Sequence, residues 1–153
     1  MKGQGLKRVI RSVVIGGMLL TATAAAAFSL GKYERVKAVS GTVAIPLTKV
    51  ADGKAHFFKV ADGGKEIAFF VVKGSDGTVK SAFDACDACY KDKKGYEQQG
   101  DKMNCKNCNQ KFVINRIGPN SSGGCNPAYL PHRQAGGAIV FNLADLQAGA
   151  RFF

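Results

Sequence analysis

The stretch Ile67-Ala68-Phe69-Phe70-Val71-Val72-Lys73 predicts the most apolar β-strand of the chain. The turn sequence Ser75-Asp76-Gly77 follows it, and a second strand is predicted over Thr78–Phe83. Two apolar runs joined by such a turn are typical of a β-hairpin. The hairpin would deliver the chain to Cys86, so we expect function in a loop at the end of a rigid sheet.

The rest of the chain continues the β pattern on both sides of this hairpin. Val43–Ile45 stops at Pro46, which suits an edge strand because proline cannot donate a ladder hydrogen bond. Asn142 is a candidate N-cap for a short terminal helix, Leu143–Gly149. We therefore predict a mostly β fold, with one small β-sheet domain over residues 41–153 and a linker over residues 32–40. Further strands are predicted over Ala55–Val60, Lys111–Ile114 and Ala138–Phe141.

The N-terminus has the composition of an export segment. Four basic residues lie among the first eleven, residues 12–31 carry no charge, and an alanine-rich run ends at Ala27. Two interpretations stay open. Residues 1–31 are a cleaved signal peptide, or residues 12–31 remain as a single membrane anchor helix and tether the domain. Both place the chain from Lys32 onward in the periplasm or an equivalent extracytoplasmic space.

The charge of the chain excludes some functions. The formal net charge is +11, and removal of residues 1–31 with their four cations leaves +7. The remaining lysines are scattered beside turns and along strands without interleaved aromatic residues, so we expect no nucleic-acid partner. No nucleophile–base pair or pair of carboxylates supports a hydrolase. A non-enzymatic electron carrier or metal-binding protein is the better prediction.

Four of the five cysteines form two CxxC knuckles, Cys86 with Cys89 and Cys105 with Cys108, in the pattern C-x2-C-x15-C-x2-C. Each knuckle presents two thiolates on one side of a tight turn, so the pair can direct four sulfurs at one point. Zinc, an iron–sulfur cluster, copper and local disulfides all remain open from this spacing. Standard ferredoxin spacings and the CxxCH haem signature are absent from the sequence.

The fifth cysteine, Cys125, follows two glycines that allow close backbone approach. We predict that it lies in or beside the site, either as a ligand that displaces one of the four or as a neighbour. His132 is interpreted as a surface residue of a turn and His56 as a residue on a sheet face, rather than as metal ligands.

Four residues next to the knuckles are expected to surround the centre. Asp84 and Asp87 carry negative charge that would lower the reduction potential of a cluster. Tyr90 is expected to exclude water from the sulfurs. Asn109 is expected to adopt the left-handed conformation that such a turn needs after its second cysteine.

The cysteine-containing segments together resemble the FtrD-like family of membrane iron–sulfur proteins, which is associated with bacterial ferrous-iron uptake. The resemblance extends over roughly residues 41–147, with Asn109 where glycine is usual. It implies an iron–sulfur cluster held by Cys86, Cys89, Cys105 and Cys108, with Cys125 as a further candidate, and zinc as the alternative metal. It also implies an iron permease or a redox partner protein at the membrane. The matching segments are Phe83–Tyr90, Lys94–Tyr96, Gly100–Cys108 and Gly123–Pro127.

Overall fold

The computed structural model describes residues 31–121 and 123–153, and the fold is mostly β, as predicted. The strands are β1 (Tyr33–Val36), β2 (Thr42–Pro46), β3 (His56–Asp62), β4 (Lys65–Lys73), β5 (Val79–Phe83), β6 (Tyr96–Gln99), β7 (Lys102–Cys105), β8 (Lys111–Val113), β9 (Arg133–Ala135) and β10 (Ala138–Asn142). A short α-helix, α1, spans Leu143–Ala148. Single 3-10 turns lie at Leu47–Val50, Tyr90–Asp92, Ile114–Arg116 and Ala150–Phe152.

The strands form three small sheets around β4. The central sheet has the order β1-β3-β4-β5, and the two others have the orders β2-β10-β9 and β6-β7-β8. Every β4 residue from Ile67 to Val72 is buried. Because successive side chains point to opposite faces of a sheet, a continuous apolar run is what a strand covered on both faces requires. The sequence that predicts the strand also explains why it is central.

Neighbouring phenylalanines of β4 build two separate cores. Phe69 stacks on Phe58 and packs against Phe141, with ring centroids 5.5 and 5.1 Å apart, which joins the central sheet to the sheet that contains β10. Phe70 faces the other way and packs against Tyr96 of β6 at 6.1 Å. This second core also contains Cys86 and Cys105, so two of the cysteines belong to the packed interior.

The segment assigned to a linker, residues 32–40, contains strand β1 instead. Tyr33–Val36 pairs parallel with β3, and the Tyr33 ring meets the Phe57 ring edge-on at 6.2 Å. With only four residues, two of them charged, β1 carries too weak an apolar pattern to be predicted. Short, charged strands are common at sheet edges, where they discourage pairing with other chains.

The predicted signal or anchor, residues 1–31, lies outside the described residues except for Gly31. Within residues 31–121 and 123–153, no helix is long and apolar enough to span a membrane.

The terminal helix begins where predicted and ends one residue earlier, at Ala148. Asn142 occupies the N-cap position, but its side chain makes no capping bond to the backbone. The amide donates a hydrogen bond to Asp145 Oδ2 at 3.0 Å instead. The N-cap position predicted for Asn142 is confirmed, although its side chain bonds to Asp145 rather than to the backbone N–H that an asparagine cap usually accepts.

Candidate metal centre

Strand β5 delivers the first knuckle, as the sequence predicts. Cys86 lies three residues after the end of β5, and its side chain accepts a hydrogen bond from the Cys89 backbone N–H at 3.1 Å. The Tyr90 N–H closes the turn on the Cys86 carbonyl oxygen at 3.1 Å. A backbone N–H directed at sulfur stabilises thiolate charge, so this turn favours the form of cysteine that binds metal.

The second knuckle follows strand β7. Cys105 is the last residue of β7 and lies opposite Tyr96 of β6. Asn109 donates its N–H to the Cys105 carbonyl oxygen at 2.8 Å and has a φ of 58°. The left-handed conformation predicted for Asn109 is therefore confirmed. Cys105 is buried, whereas Cys108 is exposed.

Cys125 reaches the knuckles because the chain that follows it returns along β5. The Phe83 N–H donates to the Ala128 carbonyl oxygen at 2.8 Å, and the Ala128 N–H donates to the Ala85 carbonyl oxygen at 3.1 Å. Tyr96 then donates its hydroxyl proton to the Cys125 carbonyl oxygen at 2.6 Å. These bonds hold Cys125 beside the first knuckle.

The sulfurs of Cys86, Cys89, Cys105 and Cys125 all lie within 4.8 Å of one another. We call these four residues the sulfur group. Within it, Cys89 Sγ lies 3.5 Å from Cys125 Sγ. A tetrahedral zinc ion with zinc–sulfur bonds of about 2.3 Å holds neighbouring sulfurs about 3.8 Å apart. The spacing of the sulfur group is therefore close to that of a single bound ion.

Cys108, which the spacing places among the first four ligands, lies next to this group rather than inside it. All five cysteines are free thiols, so the local disulfides that the spacing left open are not formed. A hydrogen bond from the Cys125 thiol, followed by one from the Gln110 N–H, lowers the pKa of Cys108 to about 7. The same bond to Cys108 raises the pKa of Cys125, and burial raises the pKa of Cys105 to about 11. Without metal, Cys108 therefore ionises before Cys105 and Cys125.

Asp84 is the most enclosed charged group near the sulfurs. Its side chain is 0% exposed and accepts hydrogen bonds from Lys32 Nζ and the Tyr33 hydroxyl, both at 2.5 Å, and from the Tyr96 N–H at 2.6 Å. The sequence suggested an acidic neighbour that lowers a reduction potential, but Lys32 offsets this charge. Asp84 instead ties the N-terminal strand to the loops that carry cysteine.

The Asp84 site requires a glycine at position 95. Gly95 has a φ of 65°, and a Cβ there would lie 2.5 Å from an Asp84 carboxylate oxygen. Burial lowers the pKa of Lys32, and the negative charge of Asp84 opposes that change. The ion pair between Lys32, the residue before β1, and Asp84 was not found by sequence reasoning, because its partners are 52 residues apart.

The side chains of the other two residues expected around the centre, Asp87 and Tyr90, have partners other than the sulfurs. Asp87 is exposed and lies 3.4 Å from Arg151, also exposed. Tyr90 packs edge-on against the Phe152 ring at 5.8 Å. Among the described residues, no hydrogen bond or ion pair joins either side chain to a cysteine sulfur.

Both histidines lie outside the sulfur group, as interpreted from the sequence. His132 Nδ1 is 2.7 Å from Ser81 Oγ, and its ring packs near Phe141. It is half-buried rather than on the surface of a turn, and burial lowers its pKa. His56 Nε2 lies 2.8 Å from Asp52 Oδ1.

Fold and site together define a small β domain with a four-cysteine group able to hold a metal ion. The chain belongs to the family described as membrane iron-sulfur containing protein FtrD-like, whose sequence model matches residues 50–153. This confirms the resemblance drawn from the cysteine segments.

Other comparisons are weaker. No curated protein matches the chain significantly. Among solved structures, the quaternary ammonium Rieske monooxygenase CntA, in complex with an inhibitor, is similar with a TM-score of 0.44 and 11% sequence identity. The match covers 65% of this chain and 30% of that one.

Proposed function

We propose that this chain is an extracytoplasmic iron–sulfur protein that transfers electrons in iron transport. The observation that carries the proposal is the convergence of Cys86, Cys89, Cys105 and Cys125, whose sulfurs lie within 4.8 Å of one another. Membership of the membrane iron–sulfur family supports the choice of iron.

The donor set fits the proposed group. Thiolates are soft ligands that bind iron–sulfur clusters well, and four cysteines are the usual complement. The sulfur group would supply these ligands, with Cys108 available at its edge. When bound, an iron–sulfur centre supplies reversible one-electron transfer.

The surroundings of the sulfurs suit an electron carrier with one protected side and one accessible side. Cys86 and Cys105 are each 2% exposed and packed in the second core with Tyr96 and Met103. Cys108, at the edge of the group, is exposed to solvent. The core excludes water from the buried sulfurs, and N–H groups directed at sulfur stabilise their charge. A donor or acceptor protein would approach the solvent side.

Place and partners complete the proposal. The chain from Lys32 onward would lie in the periplasm, and residues 12–31 would tether it where they are not cleaved. An iron permease or a redox partner protein at the membrane would exchange electrons with it. The support for this placement is the family description, which names a membrane protein, together with the uncharged N-terminal segment.

A second candidate, a structural or transported zinc ion, is favoured by one specific observation. The Cys89–Cys125 sulfur distance of 3.5 Å is close to the separation of about 3.8 Å expected around one tetrahedral ion. One tetrahedral ion would hold all four sulfurs with little change in their spacing, whereas a cluster with several irons would need the loops that carry them to move apart. A zinc module would have no redox activity.

Redox behaviour of the full chain separates the two candidates. The protein would be purified without oxygen in mild detergent, and its visible spectrum followed during titration with dithionite and reoxidation. The electron carrier predicts absorbance near 400 nm that bleaches and returns, and Cys86→Ser should abolish it. His56→Gln, outside the sulfur group, is the matched control. A colourless protein with one zinc and no reversible change would overturn the redox proposal.

A further inference from the structure

A cavity of about 450 Å³ adjoins the sulfur group. Cys86, Cys89 and Cys105 contribute to one wall, and the β3–β4 turn region and the C-terminal residues contribute to the others. This volume lies within the range of small-molecule sites, about 300–1,000 Å³. The proposed iron–sulfur centre would lie at the sulfur wall of this space, and the part toward Lys65 and Phe153 is left without an occupant.

Aromatic rings form much of the lining. Tyr90 packs edge-on against Phe152 at 5.8 Å, and Phe153 meets Phe152 edge-on at 6.4 Å. Tyr33 also lies on the lining. Tyr33, Tyr90 and Phe153 are partly exposed, whereas Phe152 and Tyr96 are almost completely buried. The partly exposed rings offer apolar faces and polarised edges, which favour contact with another planar ring.

The charged groups of the cavity have a positive excess. Lys59, Lys65 and Lys93 all contribute to the lining. Lys59 pairs with Glu66 at 3.1 Å. Glu66 is also bound by Arg35 at 2.6 Å, from outside the lining, so one carboxylate is shared by two cations. The other carboxylate of the lining, Asp84, is already paired with Lys32.

Two of the cavity lysines have no acidic partner among the residues that the structure describes. Lys65 Nζ donates to the backbone carbonyl oxygen of Ala150 at 2.8 Å, a contact that leaves its charge uncompensated. Lys93 forms no ion pair with any residue that the structure describes. Both side chains are exposed, so each ammonium group can reach a ligand at the mouth of the cavity without losing a carboxylate partner.

We infer that this cavity binds a small aromatic organic anion. The rings would contact its planar body, and Lys65 and Lys93 would donate charge-assisted hydrogen bonds to its carboxylate or similar anionic group. A ligand in this position lies against the wall that contains Cys86, Cys89 and Cys105. The inference goes beyond the proposed electron transfer, because binding depends on the cavity and not on the identity of the metal.

The test compares an anion with its neutral analogue on the full chain in mild detergent. Binding of 2-naphthoate and of 2-naphthamide would be measured by calorimetry, at two salt concentrations. We expect 2-naphthoate to bind at least tenfold more tightly, with weaker binding at higher salt. The double variant Lys65→Gln, Lys93→Gln should weaken 2-naphthoate at least tenfold and 2-naphthamide less than twofold.

The matched control is Lys73→Gln. Lys73 is an exposed lysine at the opposite end of β4 from Lys65, and it does not line this cavity. It should change neither affinity by more than twofold. Equal binding of the amide and the acid, an unchanged affinity in the double variant, or no binding of 2-naphthoate would each overturn the inference. A zinc-containing, redox-silent protein that still binds 2-naphthoate would refute the electron-transfer proposal and leave this one standing.

Discussion

Replacing Cys125 by serine should cost this protein far more metal affinity than replacing Cys108. The Cys125 sulfur lies in the group whose members are within 4.8 Å of one another, and Cys108 is outside that set. Structural zinc sites with four ligands bind with apparent free energies of about 10–16 kcal/mol, which is about 3 kcal/mol for each ligand. A loss of about 3 kcal/mol corresponds to roughly a hundredfold weaker binding.

The measurement is a competition between the metal-free full chain and a chromogenic chelator for Co²⁺, whose thiolate charge-transfer absorption also reports the number of sulfur ligands. We expect Cys125→Ser to weaken binding about a hundredfold and Cys108→Ser less than tenfold. The variant that combines Cys108→Ser with Cys125→Ser tests whether Cys108 replaces the missing sulfur. If it does, the double variant binds Co²⁺ more weakly than Cys125→Ser alone. If Cys108→Ser empties the site while Cys125→Ser keeps it, the assignment drawn from the sulfur geometry is wrong.

Three further predictions concern the surroundings of the centre. Asp84→Asn should lower the free energy of unfolding, measured by urea denaturation, by about 2 kcal/mol. This is less than the roughly 3–5 kcal/mol lost when a fully buried ion pair is broken, because Lys32 is 30% exposed. No change would show that the pair does not stabilise the fold. In metal-free protein, iodoacetamide should modify Cys108 first, as followed by mass spectrometry. The rate should rise with pH through about 7, because only the thiolate reacts and the pKa of Cys108 is about 7. Faster labelling of Cys105 would contradict this order. Gly149→Ala should destabilise by about 1–3 kcal/mol because the new methyl group would overlap the Phe83 ring. Gly118→Ala, which meets no atom within 4 Å, is its control, and equal melting temperatures for the two would exclude the overlap.

Local sequence patterns predicted the strands of the central hairpin and the turn of the second knuckle because these depend on neighbouring residues. The apolar run of β4 and the left-handed Asn109 both follow from short-range rules. Cys125 was predicted only to lie in or beside the site. Its place among the four close sulfurs depends on the hydrogen bonds between residues 83–85 and Ala128, which no spacing rule contains.

Long-range electrostatics limited the sequence analysis in the same way. A carboxylate two residues before Cys86 suggests a negative charge beside the metal. The structure pairs that carboxylate with Lys32, from a segment that was predicted to be a linker. A short polar strand such as β1 obtains its stability from the sheet edge that it joins, so its own residues give little signal.

The most direct test of the proposed iron–sulfur centre is quantitative analysis of iron, zinc and acid-labile sulfide in the full chain purified without oxygen. The proposal predicts iron together with sulfide, and a loss of both when Cys86 is replaced by serine. Stoichiometric zinc without sulfide would contradict it and would establish the four close cysteines as a redox-silent zinc site.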